Sequence, residues 1–177
     1  MMTDVLKAME ARFSTRSYTE EKLTKEELDV LIKAGLQAPT ATNRQEIHFS
    51  VLEGDNPLLA EIHAEMVKDR PGAGGSGNFY YSAPTVFILS GEAAFSWSPI
   101  DAGIAVENIA LAAEGLGLGS VILGCIKGAL NGEKKEYFAK ALHFPEGYEF
   151  YIAVAVGHIA AGKTPHEYSV EKSVSIL

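Results

Sequence analysis

At 177 residues and 47% hydrophobic content, the chain has enough apolar material for one domain with its own core, and residues 1–177 are read as a single unit. A net charge of −8 and a pI near 5.1 argue against a nucleic-acid or acidic-membrane partner, so an anionic ligand would have to be met by a local cluster of cations. The one cysteine, Cys125, excludes an internal disulfide, reads as a small core residue and fits a reducing, cytoplasmic compartment.

The opening residues, MMTDVLKAMEARF, alternate charged and apolar positions as an amphipathic helix does and lack the apolar run of a secretion signal. Thr3 is placed to cap this helix, which runs to about Ala11 with Val5, Leu6 and Met9 on one face. Arg12-Phe13-Ser14-Thr15-Arg16 follows. In an extended segment Arg12, Ser14 and Arg16 share a face, and two guanidinium groups beside a hydroxyl suit a phosphate monoester. The same residues also suit an ordinary helix end, with Arg12 against the helix dipole and Arg16 in solvent.

Thr24-Lys25-Glu26-Glu27 is a capping box, and Leu28, Leu31, Ile32 and Leu36 mark an amphipathic helix that must stop before Pro39. It leads into Ala38-Pro39-Thr40-Ala41-Thr42-Asn43-Arg44-Gln45, rich in amides and hydroxyls that can bond the edge of a heterocycle or simply form a polar connection. A strand is expected over His48 to Glu53. Asn56-Pro57 then opens a helix with Leu59, Ile62 and Met66 on one side. Gly72 to Gly77 satisfies G-x-G-x-x-G, but it follows a helix and leads into Asn78-Phe79-Tyr80-Tyr81, the wrong context for a dinucleotide turn. A loop at the rim of a site suits it better, with Asn78 a weak candidate for a ligand contact.

Pro84 to Ser90 reads as a buried central strand. The stretch Asp101 to Ile126 organises the rest of the chain. Between Ala102 and Leu118 the only charged or amide side chains are Glu107, Asn108 and Glu114, so the helix there is expected to be buried on nearly every side. Asp101 is read as its N-cap and Gly115, Gly117 and Gly119 as its stop. Its many small side chains allow close approach of another backbone, a second copy of the helix included. The uncharged run from Ser120 leads into Gly124-Cys125, where backbone N–H groups can face a ligand. Asn131 is expected to cap a segment through Leu142 that exposes Lys134, Lys135 and Lys140 and buries Phe138 and Leu142. Tyr148 to Val156 is a strand. Val170, Val174 and Ile176 in the tail are candidates for gripping a partner subunit.

The five histidines lack metal-ligand spacing, so no metal site is expected. No P-loop occurs, and Ser76 among its glycines lacks the elbow of a hydrolase nucleophile. No stretch approaches the ~20 apolar residues of a membrane span.

Taken in order, Arg12 to Arg16, APTATNRQ from Ala38, Asp101-Ala102-Gly103, Gly117-Leu118-Gly119-Ser120 and Ala155-Val156-Gly157 resemble the nitroreductase family of flavin enzymes over roughly residues 5 to 160. The resemblance implies an α+β fold, a three-layer α/β/α sandwich around a mainly antiparallel sheet, assembled as an intertwined homodimer with FMN in interfacial sites. By motif position it assigns Arg12, Ser14 and Arg16 to the FMN phosphate, with Arg16 alternatively on the ribityl chain and pyrimidine edge. Pro39, Thr40 and Asn43, with Gln45 nearby, would reach the isoalloxazine from the other subunit. Ile122, Leu123 and Gly124 would lie beside the flavin, and Lys163 would complete the phosphate site. Where the family often has Gln-Pro-Trp, this chain has Gln45-Glu46-Ile47, and its short length suggests a trimmed insertion over the active site.

The chemistry implied is ping-pong: NADH or NADPH reduces the flavin at N5, and an electron-poor acceptor such as a nitroaromatic or quinone takes its place. The flavin carries the reaction and the protein aligns the rings, so no catalytic side chain is assigned. Flavin or enone reduction, or dehydrogenation of a small metabolite, is an alternative on the same fold. Non-catalytic FMN holding is another.

Overall fold

The computed structural model describes residues 4–69, 77–162 and 164–177. A four-stranded antiparallel sheet in the order β1-β2-β4-β3 lies at its centre, formed by β1 (His48–Glu53), β2 (Thr85–Glu92), β3 (Gly119–Leu123) and β4 (Tyr148–Gly157). β2 and β4 are the inner pair, which is why PTVFILS and YIAVAV read as unbroken apolar runs: both of their faces are covered.

Strand alternation sorts those residues into two cores. Val86 and Ile88 of β2, Val121 and Leu123 of β3 and Phe150, Ala153 and Ala155 of β4 pack with Leu59, Ile62 and Met66 of α3 (Pro57–Asp69), Ala129 and Leu130 of α5 (Lys127–Asn131) and Phe138 of α6 (Lys135–Ala141). Phe87, Leu89, Val154 and Val156 point the other way, onto Leu31 of α2 (Lys25–Leu36) and Ala102, Ala105, Val106, Ile109 and Ala113 of α4 (Ser98–Gly115). Helices on both sides of one sheet make the three-layer α/β/α sandwich. Each large side chain removed from water here contributes about 2 kcal/mol.

The capping box at α2 forms as expected. Thr24 Oγ1 accepts from the Glu27 amide at 3.2 Å and Glu27 Oε2 accepts from the Thr24 amide at 2.8 Å. Gly35 lets α2 settle on its neighbours, because a Cβ there would stand 2.7 Å from the Phe49 ring and 3.1 Å from Ile109 Cδ1. Leu36 lies exposed at the helix end, outside the buried face expected of it.

Three expectations need correction. Asp101 is not the N-cap of α4: the helix begins at Ser98, because Pro99 needs no amide partner in a first turn, and Asp101 lies within that turn. α4 is also not covered all round in the single chain, since Ile100 is 51% and Ile104 37% exposed, and Gly103 has nothing within 4 Å of where its Cβ would be. Asn131 ends α5 instead of starting a helix to Leu142. Its side-chain amide donates to the Phe150 carbonyl at 2.9 Å and accepts from the Phe150 amide at 3.1 Å, pinning α5 to β4, and α6 begins afresh at Lys135.

α1 (Asp4–Ala11) packs on α4 with Val5, Leu6 and Met9 exposed. Thr3, the expected cap of α1, and the glycines from Gly72 to Gly75 lie outside the described residues. The short α7 (Val170–Ser173) belongs to an exposed tail in which Val170, Val174 and Ile176 all face solvent. Among the described residues no helix is long and apolar enough to cross a membrane.

Candidate functional site

Where α1 ends, the Arg12 amide still donates to the Ala8 carbonyl at 2.9 Å, so Arg12 belongs to the last helical turn and not to an extended segment. The chain then straightens. Ser14 forms an isolated parallel bridge with Ser120 of β3, and the Thr15 amide donates to the Ser120 carbonyl at 2.9 Å. This contact fastens the N-terminal segment to the sheet edge. It depends on Gly119, where a Cβ would fall 2.4 Å from Thr15 Oγ1. Thr15 Oγ1 and Ser120 Oγ are both buried, and neither has a hydrogen-bond partner among the described residues.

Arg12, Ser14 and Arg16 line one open pocket of about 460 Å³ with Phe13, Thr164, Pro165 and His166. Arg12 Nε lies 3.6 Å from Glu107 Oε1 on α4, a partly exposed pair. Arg16 Nη1 donates to the Ser14 carbonyl at 3.2 Å, and its Nε donates to the Tyr81 hydroxyl at 3.3 Å with the guanidinium 5.7 Å from the ring centroid. Tyr81 and His166 carried no sequence signal, because what places them here is the return of distant segments. Beneath the segment, Tyr18 donates to the Thr15 carbonyl at 3.0 Å, and burial pushes its phenol well above the ordinary range.

Thr40 to Gln45 forms a second cluster. It is a tight turn through Ala41–Asn43 that is not a regular right-handed helix, with Thr42, Asn43 and Gln45 at left-handed φ of 54°, 55° and 53°. The Gln45 amide donates to Thr40 Oγ1 at 2.9 Å, and Gln45 Nε2 donates to Asn43 Oδ1 at 3.0 Å. Pro39, Asn43 and Gln45 are exposed and Thr40 is half-buried. Thr40 and Gln45 line a small apolar pocket with Gly35, Ala38, Phe49 and Ala105, separate from the pocket of the arginines. Among the described residues, then, the two clusters line different cavities of one chain.

Ile122 is on the face of β3 opposite the buried Leu123 and is 37% exposed, with Gly124 exposed just beyond the strand. Leu123 belongs to the core beneath α5 and α6. Asn78 is engaged locally, its side chain accepting from the Ser82 amide at 2.9 Å and donating to the Ser82 hydroxyl at 3.2 Å. Lys163 lies outside the described residues. Among the described residues no cluster of three or more His, Cys, Asp or Glu side chains could hold a metal ion.

A helix-flanked antiparallel sheet whose edge strand anchors an arginine-hydroxyl-arginine pocket defines an α+β sandwich with a cationic binding edge. The sequence profile of the nitroreductase family matches residues 9–158, and the chain belongs to that family. A nitroreductase with bound FMN from Desulfitobacterium hafniense is 29% identical with a TM-score of 0.89, the match covering 100% of both chains. Another FMN-bound nitroreductase, from Bacteroides fragilis, is 26% identical with a TM-score of 0.86 over 99% of this chain and 100% of its own. The FMN reductase (NADPH) of Bacillus subtilis is 27% identical over 169 residues, which are 86% of this chain and 65% of that protein.

Proposed function

We propose that the chain is an FMN-dependent NAD(P)H oxidoreductase that works as a homodimer and passes electrons to an electron-poor small molecule such as a nitroaromatic or quinone. The observation that carries this is the convergence of Arg12, Ser14 and Arg16 on one pocket in a protein of net charge −8 that belongs to the nitroreductase family. The donor set fits a phosphate monoester: fixed charge from the guanidinium groups of Arg12 and Arg16 with the Ser14 hydroxyl between them, all lining one open pocket.

A bound FMN would supply two-electron chemistry between NADH or NADPH and the acceptor, in a ping-pong cycle. The protein's part is to hold and orient. Arg12, Ser14 and Arg16 hold the phosphate; Thr40, Asn43 and Gln45 offer hydroxyl and amide groups to a ring edge; Ile122 supplies an apolar wall and Gly124 a backbone N–H free of side-chain cover. Pro39 stiffens the entry to the polar turn. No side chain is assigned as a proton donor.

The homodimer is supported by what one chain leaves open. The arginine cluster and the polar turn line different cavities, an apolar strip of Ile100, Gly103 and Ile104 is exposed on α4, and Val5, Leu6 and Met9 are exposed on α1. A second copy covering that strip would bring the partner's polar turn toward the first chain's arginines.

Purified protein is expected to be yellow and to bleach when NADH or NADPH is added without oxygen. The double variant Arg12→Ala/Arg16→Ala should lose about 3 kcal/mol or more of FMN binding, on the order of 100-fold in affinity. Colourless protein that fails to take up added FMN overturns the proposal. FMN binding with no bleaching by either dinucleotide would leave a flavin-holding protein and remove the enzyme. A substrate panel separates nitroaromatic or quinone reduction from flavin or enone reduction.

A further inference from the structure

Asp101 is 2% exposed in the first turn of α4, where the positive end of the helix dipole favours a carboxylate. Both of its oxygens accept from one amide, that of Ala41, at 3.1 and 3.0 Å across 60 residues of sequence. Ala41 opens the polar turn. Three residues of that turn, Thr42, Asn43 and Gln45, adopt left-handed φ without being glycine, a shape that L-residues seldom keep unless something holds it. The bonds from Asn43 N to the Thr40 carbonyl, from Gln45 N to Thr40 Oγ1 and from Gln45 Nε2 to Asn43 Oδ1 all lie within the turn. They set its shape, while Arg44, paired with Glu92 and over the Phe95 ring at 4.2 Å, ties its far end to β2 and the loop that follows. The Asp101 carboxylate is the link from the turn to the helix that frames the sheet, and it is a charge-assisted one.

We propose that Asp101 is a positioning residue: it ties Ala41 to α4 and thereby sets where Thr40, Asn43 and Gln45 are presented to the flavin. This rests on the FMN-binding function proposed above. Asp101 touches neither flavin nor substrate and acts only through the turn. An Asn at 101 keeps an acceptor oxygen for the Ala41 amide, whereas an Ala removes it.

The test compares wild type, Asp101→Asn, Asp101→Ala and Ala41→Pro by FMN titration, followed through flavin fluorescence, alongside thermal unfolding and amide exchange of the apoproteins. Ala41→Pro removes the donor while leaving the carboxylate in place, and Thr40 at φ −124° and ψ 153° already has the conformation a following proline demands. Asp101→Ala and Ala41→Pro are expected to raise the FMN dissociation constant about tenfold or more, with Asp101→Asn within about threefold of wild type. The Ala41 amide should exchange about tenfold faster in Asp101→Ala than in wild type or Asp101→Asn. A lowered melting temperature with an unchanged FMN dissociation constant in both disrupting variants means a purely structural role and overturns the inference alone. Wild-type protein that binds no FMN overturns the proposed function and this inference with it.

Discussion

Gly119 shows how much can rest on one missing side chain. Its virtual Cβ would lie 2.4 Å from Thr15 Oγ1, 2.7 Å from Thr15 Cγ2 and 2.8 Å from Ile159 Cγ1, so the segment carrying Ser14 can bridge β3 only because nothing projects there. Gly119→Ala is therefore expected to lower stability by about 1–3 kcal/mol, the cost of overpacking a close contact, measurable as a shift in the urea midpoint. The same variant should weaken FMN binding, since Ser14 and Arg16 follow the displaced segment. Wild-type values for both stability and FMN affinity would show that the contact relaxes freely and does not position the pocket. From the sequence, Gly119 reads as a helix stop; that it is also a landing site for Thr15 depends on a contact between segments about a hundred residues apart.

At the scale of elements, the start of α2 is the most local device in the molecule. Thr24→Ala removes the acceptor for the Glu27 amide and should cost about 1 kcal/mol of unfolding free energy. Glu27 also responds to pH. The bond from the Thr24 amide, more than any other influence, holds its carboxyl below the ordinary value, with the Thr24 hydroxyl and His158 adding to it. A carboxyl whose folded pKa is depressed contributes stability above its unfolded pKa near 4.3 and loses it as pH falls through the folded value. Glu27→Gln is thus expected to flatten the acid limb of the stability curve below about pH 4, as followed by urea unfolding at a series of pH values. An acid limb identical to wild type would count against the capping role. α4 behaves differently from α2, because its ends and its open face are decided by neighbours: the first turn is fixed to Ala41, and Ile100, Gly103 and Ile104 remain uncovered in one chain.

For the whole molecule, the proposed site needs two copies, and that can be tested without touching any residue assigned to FMN. Ile100→Glu/Ile104→Glu places charge on the exposed strip of α4 and should convert the proposed dimer to a folded monomer in light scattering. FMN retention should fall in parallel, because the polar turn of one chain is then withdrawn from the arginines of the other. A variant that stays dimeric, or a monomer that keeps full FMN affinity, would refute the shared site. Added salt should strengthen dimerisation modestly, because the proposed contact is apolar while two chains of net charge −8 repel one another until screened.

Much of this architecture was determined by local pattern. Alternation and length marked β1 at His48–Glu53 and the run of β4, the one-sided spacing of Leu59, Ile62 and Met66 marked the buried face of α3, and Thr24 with Glu27 marked the start of α2. Such signals are legible because helix and strand periodicity, and capping bonds, act over a few residues along the chain. Tertiary structure alone decided that Asp101 serves Ala41 and not its own helix, that Asn131 pairs with the backbone of Phe150 instead of opening a helix, and that Arg16 meets Tyr81. In each case a polar side chain had a plausible local use, and for Asp101 and Asn131 the alternative partner is backbone in a partly buried bond. The fold supplied a partner far away in sequence that was better placed, because burying a polar group is tolerated only where its hydrogen bonds are met, and which distant groups are on offer depends on how the layers pack.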